Sequence, residues 1–206
     1  MRVPGLGRGR GRGTPGSPGR AGAGLAAASR SSWSPDGRPL AFAELHPETG
    51  SDLWLYRLPE PGSPPAEGEA RPFLRTPRDE FYAAFSPDGR WLAYSSDSGP
   101  DREVFVRSLE GAGPWQVSTG GGWNPTWSAD GRRILFHRGE RVLAVPVADD
   151  PPLPTGPEEV VLEVSGVSPL RPLPDGRFLG VRPQRPEGLA PSRAVHVVLD
   201  WPALLE

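Results

Sequence analysis

The stretch that decides the fold is Phe85-Ser-Pro-Asp-Gly-Arg-Trp-Leu-Ala-Tyr94. Its Asp-Gly pair favours a tight hairpin turn, because such turns need a positive φ, which glycine adopts at little cost. The aspartate adds a hydrogen bond to its own backbone. The aromatic and aliphatic residues on both sides are typical of β-strands. The segment therefore predicts two antiparallel strands joined by a turn.

The same ten-residue motif recurs along the chain without gaps, starting at Trp33, at Trp127 and, in a weaker form, at Pro172. The aspartates of the four Asp-Gly pairs are separated by 52, 42 and 45 residues. A period of about 40–50 residues is what one four-stranded blade of a β-propeller uses. We therefore interpret these aspartates as turn residues rather than as a ring of carboxylates. They are Asp36, Asp88, Asp130 and Asp175.

Further strands complete each repeat, and no convincing helix of ten or more residues is found. Third strands are predicted at 52–58, 103–109, 141–147 and 194–199. Outer strands are predicted at 71–75, 115–118 and 159–164, and none follows the last repeat. The sequence thus predicts an all-β partial propeller of about four blades, the last without its outer strand. The blades span about 31–76, 80–119, 123–164 and 167–201.

Large aromatic residues recur once or more in each repeat. Because they keep the repeat's spacing, we expect them to wedge between neighbouring sheets as core rather than to stack on a ligand. They are Trp33, Phe85, Trp91 and Trp127.

The first 28 residues differ from the rest of the 206-residue chain. Residues 1–30 contain six arginines and no acidic residue, and residues 1–28 show no apolar period. We expect a disordered tail over 1–28 and the propeller over 29–206. Arg/Gly tails can contact nucleic acid, but this one is short and lacks aromatic residues, so a solvated extension or a misplaced gene start is favoured and no nucleic acid partner is expected.

Several kinds of chemistry are excluded by composition. The chain has no cysteine, which excludes disulfides and thiolate metal sites. It has no lysine, which excludes the phosphate-binding lysine of P-loop proteins and of protein kinases. No Gly-x-Ser-x-Gly motif is present. We therefore expect no enzyme activity and no cofactor.

No metal site is predicted either. His46 in a loop, and His137 and His196 on strands, are isolated from one another in the sequence. The acidic residues near Asp97 do not follow the EF-hand pattern and are interpreted as an exposed hairpin loop. There is no stretch long enough for a membrane span, and no apolar core of a signal peptide, so a cytoplasmic location is the default expectation.

The repeat resembles the WD40-like, TolB-type propeller repeat, whose mark is an aromatic residue followed by Ser-Pro-Asp-Gly. The segment from Arg71 to Val147 and the ending Val197-Val-Leu-Asp-Trp-Pro-Ala-Leu-Leu205 also resemble the C-terminal propeller of bacterial serine/threonine protein kinases. This resemblance implies a kinase-associated propeller of six or more blades, of which this chain is a fragment, without the kinase domain. In that family the propeller can be periplasmic.

A binding site is predicted where the innermost strands begin, since propellers commonly bind ligands on the channel face. The residues are Asp79, Glu80, Phe81, Trp123 and Asn124. The function expected is a non-catalytic sensor or scaffold module that binds a protein, a peptide or a small ligand. The alternatives are an accessory propeller of a prolyl-oligopeptidase-like hydrolase, because TolB-like propellers also precede such domains, and a nonfunctional gene fragment. Open sheet edges could lead to self-association.

Overall fold

A computed structural model describes residues 32–60, 68–163, 170–173 and 177–180. Within these ranges the chain forms fourteen β-strands and no helix, so this part of the chain has no helix long and apolar enough to cross a membrane. The strands are β1 Ser32–Trp33, β2 Pro39–His46, β3 Gly50–Arg57, β4 Glu69–Leu74, β5 Glu80–Phe85, β6 Trp91–Ser96, β7 Glu103–Ser108, β8 Trp115–Gln116, β9 Trp123–Trp127, β10 Arg133–Arg138, β11 Arg141–Pro146, β12 Glu159–Glu163, β13 Leu170–Pro172 and β14 Phe178–Gly180.

The strands form three four-stranded antiparallel sheets, each a meander in chain order, followed by the pair β13–β14. The first sheet is β1–β4, the second β5–β8 and the third β9–β12. Consecutive meanders stacked face to face are the blades of a propeller. The prediction of an all-β partial propeller is confirmed, while the strand predicted at 194–199 lies outside the described residues.

The Ser-x-Asp-Gly turns have the geometry that the motif predicts. In the second sheet, Ser86 Oγ donates a 2.6 Å hydrogen bond to Oδ1 of Asp88, and the same oxygen accepts the backbone N–H of Arg90 at 3.1 Å. Gly89 has a φ of +72°. The turns at Asp36 and Asp130 repeat this arrangement, which confirms the turn role of three aspartates. Asp175 lies outside the described residues.

The hydrophobic core lies between the sheets. Alternate residues of the first and second sheets form one cluster, and alternate residues of the second and third sheets form another. Phe85, Trp91 and Trp127 are buried in these clusters, as the repeat predicted. For Trp33 the prediction was wrong: it is 52% exposed, because within the described ranges no sheet covers its side of the first sheet.

A bulge interrupts the innermost strand of two sheets at the same repeat position. Tyr82 in β5 has a φ of 54° and Asn124 in β9 a φ of 56°. The register of β5 against β6 shifts between Phe81 and Ala84, and β9 against β10 shifts near His137. Positive φ is uncommon for non-glycine residues and unfavourable for a bulky one. Bulges change the direction of side chains and are often found next to functional sites. This end of the sheets is therefore the candidate site.

Candidate binding face

The connections between sheets meet at one end of the molecule, which we call the connection face. It comprises the β4–β5 connection (75–79), the β6–β7 loop (97–102) and the β8–β9 connection (117–122). Asp97 donates its N–H to the carbonyl of Asp79 at 3.1 Å, and Gly122 donates to the carbonyl of Arg102 at 2.6 Å. The loop of the second sheet is thus tied to the connections on both sides of it. The Ser-x-Asp-Gly turns lie at the opposite ends of the strands, which we call the hairpin face.

Four rings form a continuous aromatic row behind the connection face. The centroids of Phe81 and Tyr82 are 5.9 Å apart, as are those of Tyr82 and Trp123. The indole of Trp123 then stacks on the imidazole of His137 at 4.8 Å. Tyr82 is the residue with positive φ, so the bulge places its ring between the rings of two neighbouring innermost strands. The row therefore crosses from the second sheet to the third.

Two arginines brace the connection face, one against the aromatic row and one against the β8–β9 connection. The guanidinium of Arg102 lies 4.5 Å from the ring centroid of Phe81, and its Nε is 2.8 Å from Oδ1 of Asp97. Arg138 donates hydrogen bonds of 2.7 Å to the carbonyls of Gly121 and Thr119. Because cation–π contacts and backbone hydrogen bonds fix a side chain's direction, these contacts hold the β6–β7 loop and the β8–β9 connection in defined positions.

Two buried carboxyl groups lie next to the β4–β5 connection of this face. Asp52 and Glu80 are 0% and 1% exposed. Oδ2 of Asp52 accepts the hydroxyl of Thr49 at 2.7 Å and lies 3.5 Å from Nε of Arg75. Burial, with a smaller contribution from the charge of Asp52, raises the pKa of Glu80 to about 7, and the hydrogen bond from Thr76 opposes this shift. Both carboxyl groups are thus shielded from solvent, one in the first sheet and one at the start of the second.

Asp79 has a related structural role. Its Oδ1 accepts the backbone N–H of Ser51 at 2.6 Å, and Ser51 Oγ donates to the carbonyl of Glu80 at 2.9 Å. A Cβ at Gly50, where φ is +88°, would lie 2.2 Å from that Asp79 oxygen. Only glycine fits this close approach, so the β2–β3 turn and the β4–β5 connection are closely packed.

The structure distributes the five predicted site residues over two environments. Phe81 and Trp123 are half-buried members of the aromatic row. Glu80 and Asn124 are buried, at 1% and 8% exposure, and Asp79 holds the neighbouring turn. That these five residues form one ligand site stays a prediction, and the structure brings only Phe81 and Trp123 into the aromatic row.

Sequence reasoning missed three members of the face, Tyr82, Arg102 and His137. Tyr82 could have been found, because the gapless alignment of β5 with β9 pairs it with Asn124, which had been selected. His137 was interpreted as isolated, yet it is 3% exposed and stacked on Trp123. No local signal marks that contact, since β-bulges move residues relative to the repeat.

Among the residues that the structure describes, no group of three or more histidine and acidic side chains is placed to hold a metal ion. The face combines aromatic surfaces, the guanidinium of Arg102 and exposed loop backbone. Such surfaces recognise extended segments and planar groups through stacking and hydrogen bonds.

Comparison with known proteins supports the same fold. No family model matches the chain. It is 33% identical over 117 residues to the uncharacterized peptidase YuxL of Bacillus subtilis (strain 168), which covers 50% of this chain and 16% of that protein. It is 29% identical over 97 residues to the Tol-Pal system protein TolB of Anaeromyxobacter dehalogenans (strain 2CP-1), covering 46% of this chain and 20% of that protein. The chain thus spans about a fifth or less of these curated relatives.

A solved structure of putative TolB from Agrobacterium tumefaciens superimposes with a TM-score of 0.52 at 18% sequence identity, covering 66% of this chain and 50% of that one. Stacked four-stranded meanders with Ser-x-Asp-Gly turns define the class of protein as a β-propeller repeat module. Within that class, the chain is a partial propeller of the TolB type.

Proposed function

We propose that this chain is a non-catalytic binding module and that its ligand, an extended protein or peptide segment, lies across the aromatic row of the connection face. The observation that supports this most is the paired bulge at Tyr82 and Asn124. Backbone held in a sparsely populated conformation costs free energy of about 1–3 kcal/mol. The bulge at Tyr82 sets that residue's ring between Phe81 and Trp123.

The composition of the face favours a peptide over a charged small molecule. Phe81, Tyr82 and Trp123 supply large apolar surfaces, and Arg102 is already paired with Asp97. Interfaces with protein segments are enriched in aromatic residues and arginine in this way. Loops carried by a rigid sheet array are the usual place for such recognition.

Peptide selection followed by affinity measurement tests the proposal. Random peptides displayed on phage are selected against the immobilised chain, and the enriched peptides are titrated into wild type and variants. We expect Trp123→Ala and Tyr82→Ala to weaken binding tenfold or more, the loss typical of a truncated aromatic hot spot of about 1.4 kcal/mol or more.

The matched control is Trp33→Ala, which removes an exposed tryptophan at the hairpin face. It is expected to leave peptide affinity unchanged, and circular dichroism confirms that each variant is folded. Equal losses for Trp33→Ala and Trp123→Ala, or no loss for either connection-face variant, would contradict the proposal.

A second candidate is a propeller that selects peptide substrates for a hydrolase domain. The 33% identity to a protein named as a peptidase favours it. Both candidates use the same face but differ in the partner. A gene for a peptidase beside the gene for this chain, and a change in the peptide lengths cleaved when the two proteins are mixed, would favour the hydrolase role. A gene for a protein kinase beside the gene for this chain would instead favour a sensor of the kinase-associated type that the sequence resembles.

A further inference from the structure

Glu80 begins β5 and directly precedes the first ring of the aromatic row. It is 1% exposed, and its Oε1 accepts the hydroxyl of Thr76 at 2.5 Å. Its other oxygen, Oε2, is buried without a hydrogen-bond partner among the described residues, as is Oδ1 of Asp52 in β3. Burying a charged oxygen without a donor costs free energy. The position of Glu80 therefore suits a neutral carboxyl group better than an ionised one.

Negative charge predominates next to this carboxyl group. Asp52 and Asp79 disfavour its ionised form, whereas Arg78 favours it. The nearby Arg75 is already engaged, with Nε 3.5 Å from Oδ2 of Asp52 and Nη2 2.9 Å from Nε2 of His46. The charged groups of the first sheet and of the β4–β5 connection thus oppose, on balance, a further negative charge at this position.

The other strands that contact β5 add little charge. β1 and β9 contain no ionisable residue, β6 contains only Tyr94, and β2 adds the exposed Glu44 to His46. Arg102, in the β6–β7 loop, is paired with Asp97. Burial, helped by the two aspartates, raises the pKa of the carboxyl group to about 7, so the group ionises near neutral pH.

The first two residues of β5 are held by a short stretch of ladder. Glu80 and Phe81 pair with Ser96 and Ser95 of β6, and the register shifts after Phe81, at the bulge. On the side of the first sheet, Ser51 Oγ donates to the carbonyl of Glu80 at 2.9 Å. Short ladder segments open locally at a lower cost in free energy than the continuous core of a sheet. A local opening here would move Phe81 together with the carboxyl group.

We propose that this segment is a pH-sensitive switch of the connection face, in which ionised Glu80 turns toward water and moves Phe81 away from Tyr82. A carboxylate in water regains the hydration that burial removes. Because the folded pKa of Glu80 lies above its ordinary value of 4.5, its contribution to the closed segment is complete below pH 4.5 and is lost as the pH rises through about 7. A ligand that needs the intact aromatic row binds the closed form, so its affinity falls over the same range. This effect on affinity rests on the proposed function.

Fluorine NMR tests the switch without a ligand. The chain is labelled with 4-fluorophenylalanine at its seven phenylalanines, and Phe81→Leu assigns the Phe81 signal. Between pH 6 and pH 8 we expect that signal in wild type to broaden or to give way to a second one, with a midpoint near pH 7. Glu80→Gln removes the ionisable group and should show one unchanged signal. Thr76→Val removes a hydrogen bond that favours the ionised form, so its midpoint should move to higher pH.

Peptide titrations at pH 6 and pH 8 test the effect on binding. We expect a selected peptide to bind wild type roughly tenfold more weakly at pH 8, a loss within the range typical of coupling between two sites. Glu80→Gln should bind with one affinity at both pH values. Glu110→Gln is the matched control, because Glu110 is exposed, and it should follow wild type. Thermal melts check that each variant is folded, and Glu80→Met replaces Glu80→Gln if the amide lowers the melting temperature.

Three results would overturn the inference. They are a Phe81 signal that does not change with pH, the same change in wild type and Glu80→Gln, and a peptide affinity that is independent of pH although the signal changes. Failure of the proposed function looks different, because then no selected peptide binds at any pH. The fluorine spectra still decide in that case whether Glu80 controls the position of Phe81.

Discussion

Thr76 donates a 2.5 Å hydrogen bond from Oγ1 to Oε1 of Glu80, a carboxyl group that is only 1% exposed at the start of β5. Burial, helped by the charges of Asp52 and Asp79 and opposed by the hydroxyl of Thr76, raises the pKa of this group to about 7. The seam between the first two sheets therefore holds a carboxyl group that exchanges its proton near neutral pH.

We expect the stability of the chain to fall as the pH rises through about 7. The folded pKa of Glu80 lies above its ordinary value of 4.5, so its contribution is complete below pH 4.5 and is lost as the folded carboxyl ionises. Glu80→Gln should remove this dependence and stabilise the chain at pH 8 by on the order of 2 kcal/mol. Urea unfolding from pH 5 to pH 8 measures it, with the exposed Glu110→Gln as control. Parallel profiles for wild type and Glu80→Gln would contradict the prediction.

A side chain at a turn glycine with positive φ should destabilise the fold. Gly131 has a φ of +72°, so Gly131→Ala is expected to lower the free energy of unfolding by about 1–2 kcal/mol through backbone strain. Gly99→Ala is the matched control, because Gly99 has no positive φ and the nearest atom to its added Cβ would be 3.8 Å away. Urea unfolding distinguishes them, and equal effects would show that the positive φ is not the cause.

Among single substitutions, replacement of Trp127, which packs between the second and third sheets, should cause the largest loss of stability. Trp127 is 7% exposed and donates to the Ala84 carbonyl. Trp127→Ala leaves a cavity and removes the hydrogen bond to the Ala84 carbonyl, so we expect the free energy of unfolding to fall by about 3–5 kcal/mol. Val160→Ala, at an exposed position, is expected to change stability by less than about 0.5 kcal/mol. A small effect of Trp127→Ala would mean that the two sheets do not pack as described.

Two substitutions at Tyr82 distinguish the effect of backbone strain on stability from the effect of lost side-chain contacts. Tyr82→Val should destabilise the chain by about 1–2 kcal/mol more than Tyr82→Gly, because β-branched residues are least suited to positive φ. Chemical denaturation of both variants measures the difference. Tyr82→Gly is also expected to lose peptide binding while remaining folded. If the valine variant is the more stable of the two, the strand is not bulged at this residue in solution.

The fold could be predicted from the sequence because its determinants are local. The Asp-Gly pairs specify turns, and the aromatic and aliphatic residues beside them specify strands, so the order of strands from Ser32 to Glu163 follows from the repeat. The burial of Phe85 and Trp127 follows from the same spacing. Trp33 shows the limit of this reasoning, because its burial depends on a neighbouring sheet and not on its own repeat.

The candidate face could be predicted only in outline. The repeat indicated where β5 and β9 begin, and so selected Phe81 and Trp123. It did not indicate that Tyr82 and Asn124 adopt positive φ, because bulges depend on pairing between strands. The contact between Trp123 and His137 joins different strands of the third sheet, and the Arg102–Phe81 contact joins a loop to a strand. Neither contact has a signature in the local sequence.

Hydrogen exchange in the presence of a selected peptide tests most directly whether the connection face is the binding face. The account predicts slower exchange in 79–82, 97–102 and 121–124, and unchanged exchange in the hairpin turns 34–38, 86–90 and 128–132. Protection confined to the hairpin turns, with none at the connection face, would contradict it.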